Sequence, residues 1–211
     1  PSFYWCTTWE QAMNIFDSTG QAQRLGNEIA RGGEGAVYPL ASRPSVVVKL
    51  YHDDLLLRRD KTLREKVEVM LSIRKDIIDA PLAWPALAVF DKNGTWRGFG
   101  MRRVTGVPLS RLAHPMLYRN FAPDLNRHHV VSFLDTIVNA LVSLHRAGVC
   151  LGDINLNNFL YDHATGKTTL IDCDSYQVSV AGKSYPCLVG APDMIPPEHH
   201  GVSLANVRRT P

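Results

Sequence analysis

The stretch VCLGDINLNNFLYDHATGKTTLIDCD, residues 149–174, limits what this chain can fold into more than any other. Asp153 is followed five residues later by Asn158, then by a polar hairpin and a short apolar strand, TTLI, that ends on Asp172. Two carboxylates and one carboxamide are thereby set at the ends of two adjacent short strands. Such groups are the hard oxygen ligands that Mg²⁺ takes, and a carboxylate can also position a hydroxyl nucleophile. A phosphoryl-transfer centre requires both.

Composition narrows the alternatives. With 211 residues, 45% of them hydrophobic, the chain can bury one substantial core or two small lobes. A formal net charge of +3 is too mild to argue for nucleic acid, and the arginines fall in isolated pairs with no basic stripe. Cys6, Cys150, Cys173 and Cys187 are far apart and form no C-x-x-C, which points to a reducing cytoplasm with neither disulfides nor zinc. The longest apolar run, VVSFLDTIVNALVSL, is interrupted by Asp135 and Asn139 and has helical periodicity. It reads as a core helix, and neither a membrane span nor a signal peptide is expected. Because the chain opens on Pro1 and closes on RRTP, it is expected to be a piece of a larger protein.

Residues 1–23 are aromatic-rich and read as an N-terminal extension packing on the adjoining domain. From Arg24 the text becomes RLGNEIARGGEGAVYPLASRPSVVVKLYH, two β-rich runs flanking a glycine cluster. Gly32, Gly33 and Gly35 supply bare backbone that can lie against phosphates, although a plain turn would use the same residues. Lys49 lies inside the apolar run VVVKLY, where its ammonium needs an anion. A helix is expected over about 61–74, with Leu63, Val67, Met70 and Leu71 on one face and Glu65 or Glu68 as candidate partners for Lys49. The runs on either side of Asn93-Gly94 read as a β-hairpin. A Gly/Pro linker then begins near Arg102–Gly106, which divides the chain into 24–103 and 104–211. Val130, Leu134, Ile137, Val138, Leu141 and Leu144 recur at helical spacing, and Gly148 ends that helix.

In this order the pieces resemble a Hanks-type (eukaryotic-like) protein kinase from about Arg24 to Glu198. That resemblance implies an α+β, two-lobed fold: a β-rich N-lobe, a mainly helical C-lobe truncated here, and ATP with Mg²⁺ between them. Carried onto this sequence, Gly32, Gly33 and Gly35 cover the phosphates and Lys49 pairs with them. Asp153 is the catalytic aspartate, and Asn158 and Asp172 hold Mg²⁺, with Asp174 as a further carboxylate beside it. Val37, Val47 and Leu160 sandwich the adenine, Met101 stands as gatekeeper, and Arg102 and Val104 form the hinge. GAPDMIPPE, ending on Glu198, resembles the segment that closes the activation loop and implies a protein substrate, unidentified here. Further C-terminal helices or other domains are implied as partners of the fold.

The sequence also departs from the family pattern. Leu151-Gly152 replace the His-Arg before the catalytic Asp, Asn155 replaces a lysine, and Cys173-Asp174 replace Phe-Gly. The Asp-Cys-Asp form is similar to a bacterial branch often fused to helix-hairpin-helix modules. If Met70 fills the spine position of the helix, Lys66 stands where the paired acid belongs, and Lys49 must find its anion elsewhere. Three activities stay open: protein kinase on Ser or Thr hydroxyls, nucleotide-binding pseudokinase acting as an interaction module, and small-molecule phosphotransferase.

Overall fold

The computed structural model describes residues 14–207. Its upper lobe is a seven-stranded sheet: β1 (Asn14–Phe16), β2 (Ala22–Arg24), β3 (Ala30–Arg31), β4 (Gly35–Pro39), β5 (Val46–Tyr51), β6 (Pro85–Phe90) and β7 (Trp96–Arg102). The spatial order is β2-β1-β6-β7-β5-β4-β3, with antiparallel pairing throughout. Residues 14–23 are therefore not an appendage, as the sequence suggests; they supply the outer strands. They lack the alternating apolar pattern of a buried strand and are recruited by edge pairing, Phe16 against Phe90. Residues 1–13, and with them most of the expected aromatic extension, lie outside the described residues.

Side chains alternate across β5, and both faces are used. Val48 packs on one side with Ile15, Leu25, Leu40 and Val89. On the other side Tyr51 packs with Trp96, Phe99 and the helix α1 (Asp53–Ser72) through Leu55, Leu56, Leu63 and Val67. Lys49 shares that second face. Helix α1 begins eight residues before the expected start, because Asp53 and Asp54 favour a helix N-terminus and Leu55 and Leu56 both find cover. The hairpin at Asn93-Gly94 forms as expected, with Gly94 at φ 78° and the Asp91 carboxylate accepting from the backbone N–H groups of Asn93 and Thr95.

The chain crosses into the lower lobe between β7 and β8 (Val107–Pro108), which pairs with β10 (Phe159–Asp162) and through it β11 (Lys167–Leu170). Two one-turn helices, α2 (Leu109–Leu112) and α3 (Tyr118–Phe121), lead into α4 (Arg127–Arg146). Asn126 starts α4: its side chain accepts from the His128 N–H at 3.0 Å, while Nδ1 of His129 accepts from the Asn126 N–H at 3.2 Å. A second small sheet joins β9 (Val149–Cys150), β12 (Gln177–Val180) and β13 (Lys183–Tyr185).

One core runs through both lobes. Met70, Ile77, Leu82 and Trp84 from above meet Phe133, Ala140, Leu144, Val149, Phe159 and Leu170 from below. Backbone bonds stitch the same junction: Ala83 N–H to Leu170 O and Leu170 N–H to Pro81 O, both 2.8 Å. The buried face of α4 is thus Phe133–Ala140–Leu144, flanked by Ile137 and Leu141. Val130, Leu134 and Val138, which the periodicity groups with the core, are exposed among the described residues. No helix among those residues is long and apolar enough to cross a membrane.

Candidate active site

A cleft of about 810 Å³ opens between the lobes. Its roof is the turn 32–34 joining β3 to β4, its back is β5 and β7, and its floor is the loop from Asp153 to Asn158 with β10 and Asp172. Gly32, Gly33, Gly35, Val37, Val47, Lys49, Met101, Arg102, Val104, Asp153, Asn158, Leu160 and Asp172 all line it. Residues more than a hundred positions apart in sequence are thereby gathered around one space.

The glycines of the roof differ in kind. A Cβ on Gly32 or Gly33 would meet nothing within 4 Å among the described residues, whereas one on Gly35 would sit 2.3 Å from the Leu50 carbonyl oxygen. Gly35 is needed to let β4 lie against β5; Gly32 and Gly33 leave the roof bare. On the other side of β5, a Cβ on Gly98 would be 2.0 Å from the Lys49 carbonyl oxygen, and its φ is 153°. The strand that carries Lys49 is thus clasped by close glycine contacts on both sides.

Lys49 is buried, and its Nζ donates to Asp172 Oδ1 at 2.8 Å and Asp174 Oδ2 at 2.7 Å. Asp172 takes the left-handed conformation (φ 57°, ψ 39°), which the short polar side chains of Asp and Asn tolerate better than most. The chain turns there into a short 3₁₀ segment, Cys173–Ser175, and both carboxylates reach the same ammonium. Burial by itself would lower the lysine pKa, but the two carboxylates hold it above its usual value. Burial, then the neighbouring Asp174, raises the Asp172 carboxyl against the pull of Lys49. Burial would raise Asp174 also, yet Lys49 and the Tyr51 hydroxyl, 2.6 Å away, hold it below the carboxylate range.

Two expectations are corrected here. Glu65 and Glu68 do not reach Lys49: Glu65 accepts from Lys183 and Glu68 from Arg64. The helical phase of α1 turns Glu68 to solvent, sets Glu65 half-buried against Lys183 and brings Lys66 inward, 5% exposed. Asp174, expected beside the metal, does not line the cleft; it is buried behind Lys49 and spent on that ammonium and on Tyr51.

Below Lys49, the Asn158 amide nitrogen donates to Asp153 at its backbone carbonyl, 3.2 Å, and at Oδ2, 3.3 Å. With the nitrogen so used, the carbonyl oxygen of Asn158 is the atom left to ligate. That oxygen and the part-exposed Asp172 carboxylate both line the cleft, and both are hard oxygen atoms of the kind a divalent cation takes. Asn155 accepts from the Asn157 N–H and from its side-chain amide, which stiffens the loop but brings no positive charge. Gly152 has a steric reason: a Cβ there would lie 2.5 Å from the Ser175 carbonyl oxygen and 2.6 Å from the Cys187 sulfur. An arginine has no room at that position.

Other residues of the cleft carry no expectation from the sequence. Glu34 lines it at the tip of the roof, 3.7 Å from Arg59, and burial raises its carboxyl pKa. Ala83 lines the back, at the segment that stitches the lobes. The anchoring role of Tyr51 was missed as well, although its place two residues after Lys49, on the same strand face, is a readable signal.

No protein-family model matches this sequence. Among curated proteins the chain is 31% identical over 193 residues to protein kinase YegI of Escherichia coli (strain K12). It is 30% identical over 191 residues to the protein of that name in Escherichia coli O157:H7. These alignments cover 88% and 87% of this chain and, in each case, 28% of the relative's length. Among solved structures, vaccinia related kinase 3 superposes with a TM-score of 0.56 at 15% identity, covering 78% of this chain and 51% of that one. The ROP18 kinase domain in complex with AMP-PNP and sucrose gives 0.59 at 15% identity, covering 92% and 62%. A β-sheet upper lobe, a cleft and a lower lobe carrying the helix α4 therefore give the described residues of this chain the two-lobed protein-kinase fold.

Proposed function

We propose that the cleft binds ATP with Mg²⁺ and passes the terminal phosphoryl group to a Ser or Thr hydroxyl of a protein substrate. The observation that carries this reading is the convergence of Lys49, Asp153, Asn158 and Asp172 on one cleft beneath a bare glycine turn. Val37, Val47 and Leu160 provide apolar surface for the base, with Met101 at the back and the main chain of Arg102 and Val104 along the edge. Lys49 neutralises phosphate oxygens, and Gly32 and Gly33 let backbone approach them from above. Asn158 and Asp172 would hold Mg²⁺, which when bound offsets negative charge on the phosphates. Asp153, oriented by the Asn158 amide, takes the proton of the attacking hydroxyl. The segment GAPDMIPPE, which resembles the one that closes a protein kinase's activation loop, favours a protein as acceptor.

A second reading, nucleotide binding without turnover, is favoured by Asn155: no cation stands at that position to steady the transferred group. Labelled ATP with Mg²⁺ and generic protein acceptors separates the two. Transfer that disappears in Asp153→Ala supports the kinase. Saturable nucleotide binding with no transfer to any acceptor supports the second reading.

A further inference from the structure

The anion that anchors Lys49 does not come from the upper-lobe helix. Along α1, Glu65 and Glu68 are engaged by Lys183 and Arg64, and the side chain brought into the interior is the cation of Lys66. A buried ammonium on β5 needs a partner. Asp172 supplies one bond but faces the cleft, its side chain 36% exposed, and is the carboxylate available to a metal. Asp174 supplies the other from full burial, its side chain 2% exposed. Its Oδ2 is held twice, by Lys49 at 2.7 Å and by the Tyr51 hydroxyl at 2.6 Å. Its Oδ1 is buried and has no hydrogen-bond partner among the described residues. Lys66, turned inward on α1, adds a smaller positive field that favours the ionised carboxylate.

We propose that Asp174 is the positioning residue for Lys49 in nucleotide binding, taking the place of an acid on α1, with Tyr51 clamping it and Lys66 balancing its charge. The inference rests on the nucleotide-binding reading of the cleft. One consequence is mechanical: the carboxylate that anchors the lysine and the one offered to a metal are two residues apart on a single turn. Alignment of Lys49 is then set by that turn rather than by the placement of α1.

The test is calorimetric binding of ATP with Mg²⁺ to the full chain as wild type, Lys49→Met, Asp174→Asn and the double variant. Asparagine keeps the shape and can still accept from Tyr51, but removes the charge. Each single substitution is expected to weaken binding tenfold or more, with the double no weaker than Lys49→Met alone, because both remove one interaction. A purely structural Asp174 would give losses that multiply in the double variant, and that result overturns the proposal. Binding by Asp174→Asn within twofold of wild type overturns it as well. If Lys49→Met itself binds as wild type, the nucleotide reading of the cleft is what fails. Should Asp174→Asn not fold, Lys66→Met/Asp174→Asn removes the anion together with one buried cation. The same tenfold loss is expected of it, and affinity within twofold of wild type counts against the proposal.

Discussion

The amide nitrogen of Asn158 lies 3.3 Å from Oδ2 of Asp153, so the residue proposed to hold Mg²⁺ also orients the residue proposed to take the substrate hydroxyl proton. The bond ties the two ends of the loop between β9 and β10, whose interior is braced by Asn155 on Asn157. Loss of either side chain is therefore expected to affect turnover more than nucleotide affinity.

Asp153→Ala removes the proposed proton acceptor and should lower phosphoryl transfer by about 10²–10⁴-fold, the usual contribution of a positioned general base. Nucleotide affinity should stay within a few-fold of wild type. Asn158→Ala should lower transfer too, and in addition raise the Mg²⁺ concentration for half-maximal rate. Rates measured against ATP and against Mg²⁺ separately distinguish the two variants.

The roof glycines should respond in opposite ways. Gly35→Ala drives a methyl group into the β5 backbone, where the nearest atom would be 2.3 Å away. It should destabilise the fold by about 1–3 kcal/mol, the range for overpacking. Gly33→Ala has open space and ordinary backbone, so the melting temperature should hardly move. If phosphates lie under this turn, Gly33→Ala should still weaken ATP binding. Thermal melts and binding on the two variants check this.

Lys66 predicts a pH dependence. Burial, only partly offset by Asp174, lowers its pKa to about 8 from 10.5. Between those values the unfolded chain binds more protons at this site than the folded one, so its contribution to stability rises with pH. Below about pH 8 the penalty of the buried charge is felt in full. Relative to Lys66→Met, the wild type should gain stability, on the order of 1–3 kcal/mol, between pH 8 and 10. Denaturant titrations of both proteins across that window test it; parallel curves would rule it out.

The junction core should be stiff to truncation. Met70 is fully buried where α1 meets the lower lobe, and Met70→Ala is expected to cost about 2–5 kcal/mol. Leu57, on the same helix but 89% exposed, should change stability by less than about 0.5 kcal/mol when replaced by Ala. Equilibrium unfolding in urea provides both numbers.

Several parts of this fold are written locally, and the sequence alone was enough to read them. Asn93-Gly94 and Asp91 dictate a hairpin, Gly148 stops a helix at φ 74°, and VVVKLY alternates between two buried faces as β5. The chain order of glycine turn, lysine strand and Asp-to-Asn loop likewise points to Gly32, Gly33, Gly35, Lys49, Asp153, Asn158 and Asp172, all of which line the cleft, but not to Glu34 or Ala83, and it places Asp174 there wrongly. Other features depended on parts of the chain distant in sequence. Periodicity alone cannot tell which apolar stripe of α4 meets the core, because Val130 and Leu134 repeat at the same spacing as Phe133 and Ile137. Nor does helical spacing say which of Glu65, Lys66 and Glu68 turns inward; the packing of Val67 and Met70 sets that phase. Residues 14–24 became strands by pairing with an edge that lies far along the chain.

Residues 149–174 by themselves determined that two carboxylates and a carboxamide would meet at adjacent strand ends. Only the tertiary structure decided that Asp174 belongs to Lys49 rather than to the cleft. The reason is electrostatic: a buried ammonium takes whichever buried carboxylate the packing brings within hydrogen-bond reach, and here that packing joins β5, α1 and the turn after β11.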